Sequence, residues 1–296
     1  MRMITLLDGG MGQELVHRAG DRPTPLWSTQ VMVDHPGLVR AVHDDYFAAG
    51  ATVATVNSYA VHRDRLAGTP LDGRFTELVA TACLEAQAAR DAHGAGRIAG
   101  SIGPLIASYR PDIHPAHDQA VPLYAEVAQA LAPACDLLIC ETVASVAHAK
   151  AVLAAALPTG LPVWLALTVD DTDGRRLRSG EALADILAVA QQAEALLINC
   201  STPEAIPAAL DILARGDKPF GAYANGFTRI TEGFLADKPT VDALTSRQDL
   251  GPEAYAAHAM GWIAQGATIV GGCCEVGPAH IAELARQLHA AGHRIV

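Results

Sequence analysis

Short apolar runs recur along the chain. Each ends in a polar or glycine turn, and most are followed by an alanine-rich stretch with apolar positions three and four apart. The runs are MITLL at 3–7, ATVAT at 51–55, RIAGS at 97–101, LLICE at 137–141, VWLALT at 163–168, ALLIN at 195–199, PFGAY at 219–223 and ATIVG at 267–271. They predict eight strands. Runs that are apolar throughout require burial on both faces, hence a parallel sheet covered by helices. Helices are predicted at 75–93, 119–134, 145–157, 181–193, 203–215, 252–266 and 279–292, several opening on Ser, Thr or Pro and stopping at Gly. Pro207 is expected to disturb the fifth of these.

Eight β-then-α units in this length predict an α/β chain folded as a single-domain (β/α)8 TIM barrel spanning 1–296. A doubly wound open sheet is the alternative, but DGGMG after the first strand is not the dinucleotide fingerprint G-x-G-x-x-G. The long connection at 56–71 reads as a functional loop or a local excursion.

Composition narrows the class. The net charge of −11 argues against a broad nucleic-acid or anionic-membrane surface. No apolar segment has the length of a bilayer span, and MRMITLLDGG does not read as a secretory leader. The six cysteines, at 83, 135, 140, 200, 273 and 274, lack the pattern of a small disulfide-stapled domain. A reducing, cytoplasmic location is the expectation.

In such a barrel, chemistry gathers where strands end. Those ends carry Asp8-Gly9-Gly10, Asn57-Ser58, Ser101, Glu141-Thr142, Thr168, Asn199-Cys200-Ser201, Asn225 and Gly271-Gly272-Cys273-Cys274. Cys200, Cys273 and Cys274 thus share one predicted rim. Three thiolates suit Zn2+ with a fourth position open. Consecutive strand residues face opposite ways, so Cys273 and Cys274 need a turn to converge, which the adjacent glycines are expected to allow. Burial as small hydrophobes and a vicinal redox pair are the competing readings; the first is applied to Cys83, Cys135 and Cys140. Asp8 and Glu141 either cap a loop, grip an ammonium group, or act as an acid/base pair in the manner of a glycoside hydrolase. His17, His43 and His62 show no ligand spacing and are read as surface or loop residues.

LLDGGMGQEL, NSY at 57–59, GSIGP at 100–104, ICET at 139–142, INCSTP at 198–203 and GGCC at 271–274 together resemble the homocysteine S-methyltransferase family over nearly the whole chain. The resemblance implies a barrel holding one Zn2+ through Cys200, Cys273 and Cys274, with the homocysteine thiol as fourth ligand. It associates Asp8 and Glu141 with the homocysteine amino group, and amides near Gly9–Gly10 or groups near Thr142 or Ser201 with its carboxylate. It also implies a cationic methyl donor as second substrate. S-methylmethionine is expected first and S-adenosylmethionine next. Betaine, another donor or thiol acceptor, and a non-catalytic zinc barrel are the alternatives. Trp27, Tyr59, Tyr109 and Phe227 are candidates for an aromatic face against that cation. Two departures stand out. Family members commonly follow GGCC with a basic residue, whereas this chain has Glu275. The segment after strand seven reads Ala224-Asn225-Gly226-Phe227 rather than a Pro-Asn-Ser-Gly type.

Overall fold

The computed structural model describes residues 1–20, 24–228, 230–235 and 244–296. All eight predicted strands form: β1 (Met3–Leu6), β2 (Val53–Thr55), β3 (Arg97–Ile102), β4 (Leu137–Val143), β5 (Val163–Leu167), β6 (Ala195–Asn199), β7 (Phe220–Tyr223) and β8 (Ile269–Val270). They run parallel in the order β2-β3-β4-β5-β6-β7-β8-β1. At the junction of first and last, Leu7 bridges Val53 in parallel, and Asp8 N–H donates to Val53 O at 3.0 Å. The sheet thereby curls into the expected TIM-barrel-type architecture.

One strand is not foreshadowed by the apolar runs. β9 (Arg294–Ile295) pairs with Met3 and Ile4 at the opposite end of β1. Thr52 Oγ1 donates to Val296 O at 2.7 Å beside it. The tail therefore lies between β1 and the approach to β2, away from the strand ends that carry the candidate chemistry.

Period-two alternation sorts side chains between two cores. Leu7, Val53, Ala99, Leu137, Ile139, Trp164, Ala166, Ala195, Leu197, Tyr223 and Ile269 fill the barrel interior. Their neighbours, such as Leu6, Ala54, Ile98, Leu138, Leu165, Ile198, Ala222 and Val270, pack in the larger cluster shared with the surrounding helices. The same alternation carries Thr55, Ser101, Glu141 and Asn199 inward at the strand ends.

The helix at 75–93 forms over its whole predicted length as Phe75–His93. Val146–Ala156 is opened by Ser145, whose side chain accepts from His148 N–H. Pro207 is harmless, because it lies in the first turn of Ile206–Leu213, where its missing N–H has no intrahelical partner to lose. The stretch at 181–193 shortens to a 3-10 turn and Ile186–Val189. The 56–71 excursion contains one helical turn, Arg63–Leu66. His43 and His62 are not surface residues: they are 0% and 1% exposed, His43 on the buried face of the helix Leu38–Ala48 and His62 in the loop just before Arg63–Leu66. Among the described residues, no helix is long and apolar enough to cross a membrane.

Candidate metal centre and substrate cavity

The ends of β1 to β4 and β6 to β8 line one cavity, with room for about 90 Å3 inside. Asp8, Glu141, Cys200, Cys273 and Cys274 all line it. The ligand atoms of the three cysteines lie within 4.8 Å of one another, and these residues are the group among the described residues that could hold a metal ion.

The local backbone explains this convergence. Cys200 breaks the alternation of β6 by adopting φ +47°, and its N–H donates to Tyr223 O at 3.2 Å. The Cys273–Cys274 loop leans on the end of β7: Cys273 N–H donates to Ala224 O, and Gly226 N–H to Cys274 O. The adjacent glycines serve close approach rather than unusual φ. A Cβ on Gly10 would stand 2.5 Å from Cys273 O, and one on Gly272 would stand 2.2 Å from Val276 Cγ1. The Asp-Gly-Gly loop and the Cys-Cys loop are thus pressed together.

Cys200 and Cys273 are joined as a disulfide, with Cα atoms 5.8 Å apart, and Cys274 is a free thiol. The sulfur that pairs with Cys273 therefore comes from β6, not from its sequence neighbour. Burial, then the charge of Glu275, pushes the Cys274 thiol up to about 12. Left alone it stays protonated at neutral pH. A divalent cation supplies the charge that a thiolate there lacks, so the reduced trio fits a soft metal.

Both carboxylates are buried and held by donors. Asp8 accepts from Thr55 N–H at 2.6 Å and from Thr55 Oγ1 at 2.7 Å. Glu141 accepts from Ser101 Oγ at 2.5 Å and from Tyr223 OH at 2.8 Å. Burial raises Asp8 to about 7 against the lowering effect of the Thr55 bonds. Burial likewise raises Glu141, with the Ser101 and Tyr223 bonds opposing it. Thr142, at φ +56°, is clamped by Asn199, whose Oδ1 accepts from Thr142 N–H at 3.0 Å.

Trp27, Tyr59 and Tyr109 line the cavity, but Phe227 does not. Phe234 takes the fourth aromatic position, with its ring 6.0 Å from that of Tyr109. Ser201 is also absent from the lining: its Oγ accepts from Val169 N–H and lies 3.1 Å from Asn199 O. The Gly10 amide is engaged by Val276 O. Thr55, Tyr223 and Phe234 were not singled out from sequence. Thr55 and Tyr223 close predicted strands, and their inward parity was the available signal; Phe234 offered none.

A parallel barrel whose strand ends bring three sulfurs and two buried carboxylates into one cavity has the chemistry to hold a thiol-bearing or cationic small molecule. Its lineage is specific. Residues 5–288 match the family model described as homocysteine S-methyltransferase. The chain belongs to the homocysteine S-methyltransferase family, an enzyme family of transferases. It is 32% identical to a homocysteine S-methyltransferase of Escherichia coli K12, with 95% of this chain and 94% of that one covered. It is 29% identical to the homocysteine S-methyltransferase YbgG of Bacillus subtilis 168, with 95% and 93% covered. The metallated form of the homocysteine methyltransferase MmuM from E. coli superposes with a TM-score of 0.80 at 31% identity, covering 97% of this chain and 96% of that one. The oxidized form of MmuM gives 0.79 at 31% identity, with 96% of each chain covered.

Proposed function

We propose that this enzyme moves a methyl group from a sulfonium donor, S-methylmethionine first, to the thiol of homocysteine, at a Zn2+ held by Cys200, Cys273 and Cys274. The carrying observation is that three cysteine sulfurs meet within 4.8 Å in a cavity that also presents two buried carboxylates. Zinc bound there would keep an incoming thiol deprotonated at neutral pH.

Asp8 and Glu141 bind the homocysteine ammonium through charge-assisted hydrogen bonds. Thr55, Ser101 and Tyr223 fix the carboxylates for that task. An arriving cation lowers both raised carboxyls and favours their charged forms. Neither residue takes a proton from the methyl group; both orient the acceptor. The aromatic walls of Trp27, Tyr59, Tyr109 and Phe234 suit the sulfonium cation. The homocysteine sulfur attacks the methyl carbon in line with the donor's S–CH3 bond. A new C–S bond forms, the donor bond breaks, and its electron pair returns to the donor sulfur, which leaves as a neutral thioether. The thiol proton is lost to solvent. Holding both sulfurs in line supplies a large part of the rate.

The test is methionine formation from homocysteine with S-methylmethionine, S-adenosylmethionine or betaine supplied separately. The highest kcat/KM is expected with S-methylmethionine. A preference for betaine would overturn the donor, and no methionine with any of the three would overturn the reaction.

A further inference from the structure

Glu275 has no task in that reaction. It follows the cysteine pair at φ +65° and does not line the cavity. Its Oε1 accepts from Gln13 Nε2 at 2.5 Å. The other end of the same amide, Gln13 Oε1, accepts from Trp27 Nε1 at 2.9 Å. Gln13 is buried and the Glu275 side chain is only 12% exposed, so water competes poorly for these bonds. The exposed His17 approaches Glu275 Oε1 no closer than 3.7 Å. Trp27 stands in the cavity wall at φ +52°, edge-on to Tyr59 with ring centroids 6.4 Å apart.

The direction of this chain of bonds is fixed by chemistry. An indole N–H only donates, so Gln13 turns its carbonyl to Trp27 and its NH2 to position 275. Only an acceptor at 275 completes the line. A basic side chain there, of the kind the family resemblance leads one to expect, only donates. It would either leave the Gln13 NH2 unpaired or flip the amide and set NH2 against indole N–H.

We propose that Glu275 is a positioning residue that acts through Gln13 to hold Trp27 in the wall of the donor subsite, and so sets affinity for the cationic donor but not for homocysteine. This rests on the function proposed above. Glu275 acts as a hydrogen-bond acceptor, not through its charge. A cation–π contact depends on where the ring face stands, so releasing the indole weakens donor binding.

The test compares Glu275→Gln, which keeps an acceptor and loses the charge, with Glu275→Leu and Glu275→Arg, which lose the acceptor. KM is measured for S-methylmethionine and for homocysteine. Trp27 emission is read as the difference from Trp27→Phe, since Trp164 and Trp262 are buried and common to all variants. Glu275→Leu and Glu275→Arg are expected to raise donor KM about fivefold, the loss expected for one ordinary hydrogen bond. Their Trp27 emission should shift to the red, with homocysteine KM within about twofold. Glu275→Gln should match the parent in all three readings. Equal losses in Glu275→Gln and Glu275→Leu would overturn the acceptor role, as would unchanged Trp27 emission in Glu275→Arg. Absence of turnover in the parent would sink the functional reading instead, and the emission of the variants still tests the relay without any donor.

Discussion

Tyr223 OH lies 2.8 Å from Glu141 Oε2, so a tyrosine at the end of β7 holds a carboxylate on β4 across the barrel mouth. Both groups are buried, and Ser101 occupies the other carboxylate oxygen. Removing the tyrosine hydroxyl leaves a buried carboxylate one donor short. A hydrogen bond to a charged group is worth about 1.5–3 kcal/mol, or roughly 10- to 100-fold. Tyr223→Phe is therefore expected to raise homocysteine KM by that factor, with metal content unchanged. A donor KM that rises as much as homocysteine KM would contradict the assignment of Glu141 to the acceptor.

On the proposed reading, Asp8 would give the acceptor site a pH dependence. Its carboxyl, raised to about 7 by burial, is half protonated near neutrality, and only the ionised form pairs with an ammonium. Homocysteine KM should therefore fall as pH rises from about 6 to 8. Loss of the substrate thiol proton contributes in the same direction, so the informative comparison is Asp8→Asn. That variant should bind homocysteine more weakly at pH 8 and show a flatter profile. An identical profile in the variant would remove Asp8 from the titration.

His43 bears on stability rather than catalysis. Burial lowers its imidazole to about 3, and neither ring nitrogen has a hydrogen-bond partner. The unfolded chain takes up this proton below about 6.5, while the native state refuses it until about 3. The contribution to stability is complete above pH 6.5 and is lost as pH falls through that window. Between pH 6.5 and 5 the loss is about 1.6 kcal/mol. Asp8, whose raised carboxyl is protonated in the native state, works in the opposite sense there. Denaturant unfolding of the parent and of His43→Leu should therefore differ in slope, the variant losing about 2 kcal/mol less between pH 7 and 5. Parallel slopes would contradict this.

Most of the barrel was legible because buried parallel strands are short and apolar throughout, as LLICE and VWLALT are. β9 was not: Arg294–Ile295 is two residues long and gains its partners from β1, far away in sequence. Cys200, Cys273 and Cys274 could be brought together by reasoning about strand ends, since they follow β6 and β8. That reasoning alone does not separate a metal set from buried small hydrophobes; it is the family resemblance that points to metal. Tyr223 read as one more apolar residue in PFGAY, because its hydroxyl matters only through Glu141. His43 and His62 read as surface or loop groups because a polar label hides burial when neighbouring elements supply the cover. Gln13 shows nothing in sequence of its bonds to Trp27 and Glu275, which exist only after the β1 and β8 loops meet.

Methyl transfer is expected to depend on a metal held by the three cysteine sulfurs. Pairing Cys200 with Cys273 removes two of the three donors, so metal binding and that disulfide exclude each other. The direct measurement is zinc content and methionine formation on one preparation, first oxidised, then reduced and supplied with zinc, with Cys273→Ala carried in parallel. Oxidised protein is expected to hold no zinc and show no turnover, reduced protein to hold one zinc per chain and turn over, and the variant to do neither. Methionine formed at undiminished rate by zinc-free protein, or by Cys273→Ala, would contradict it.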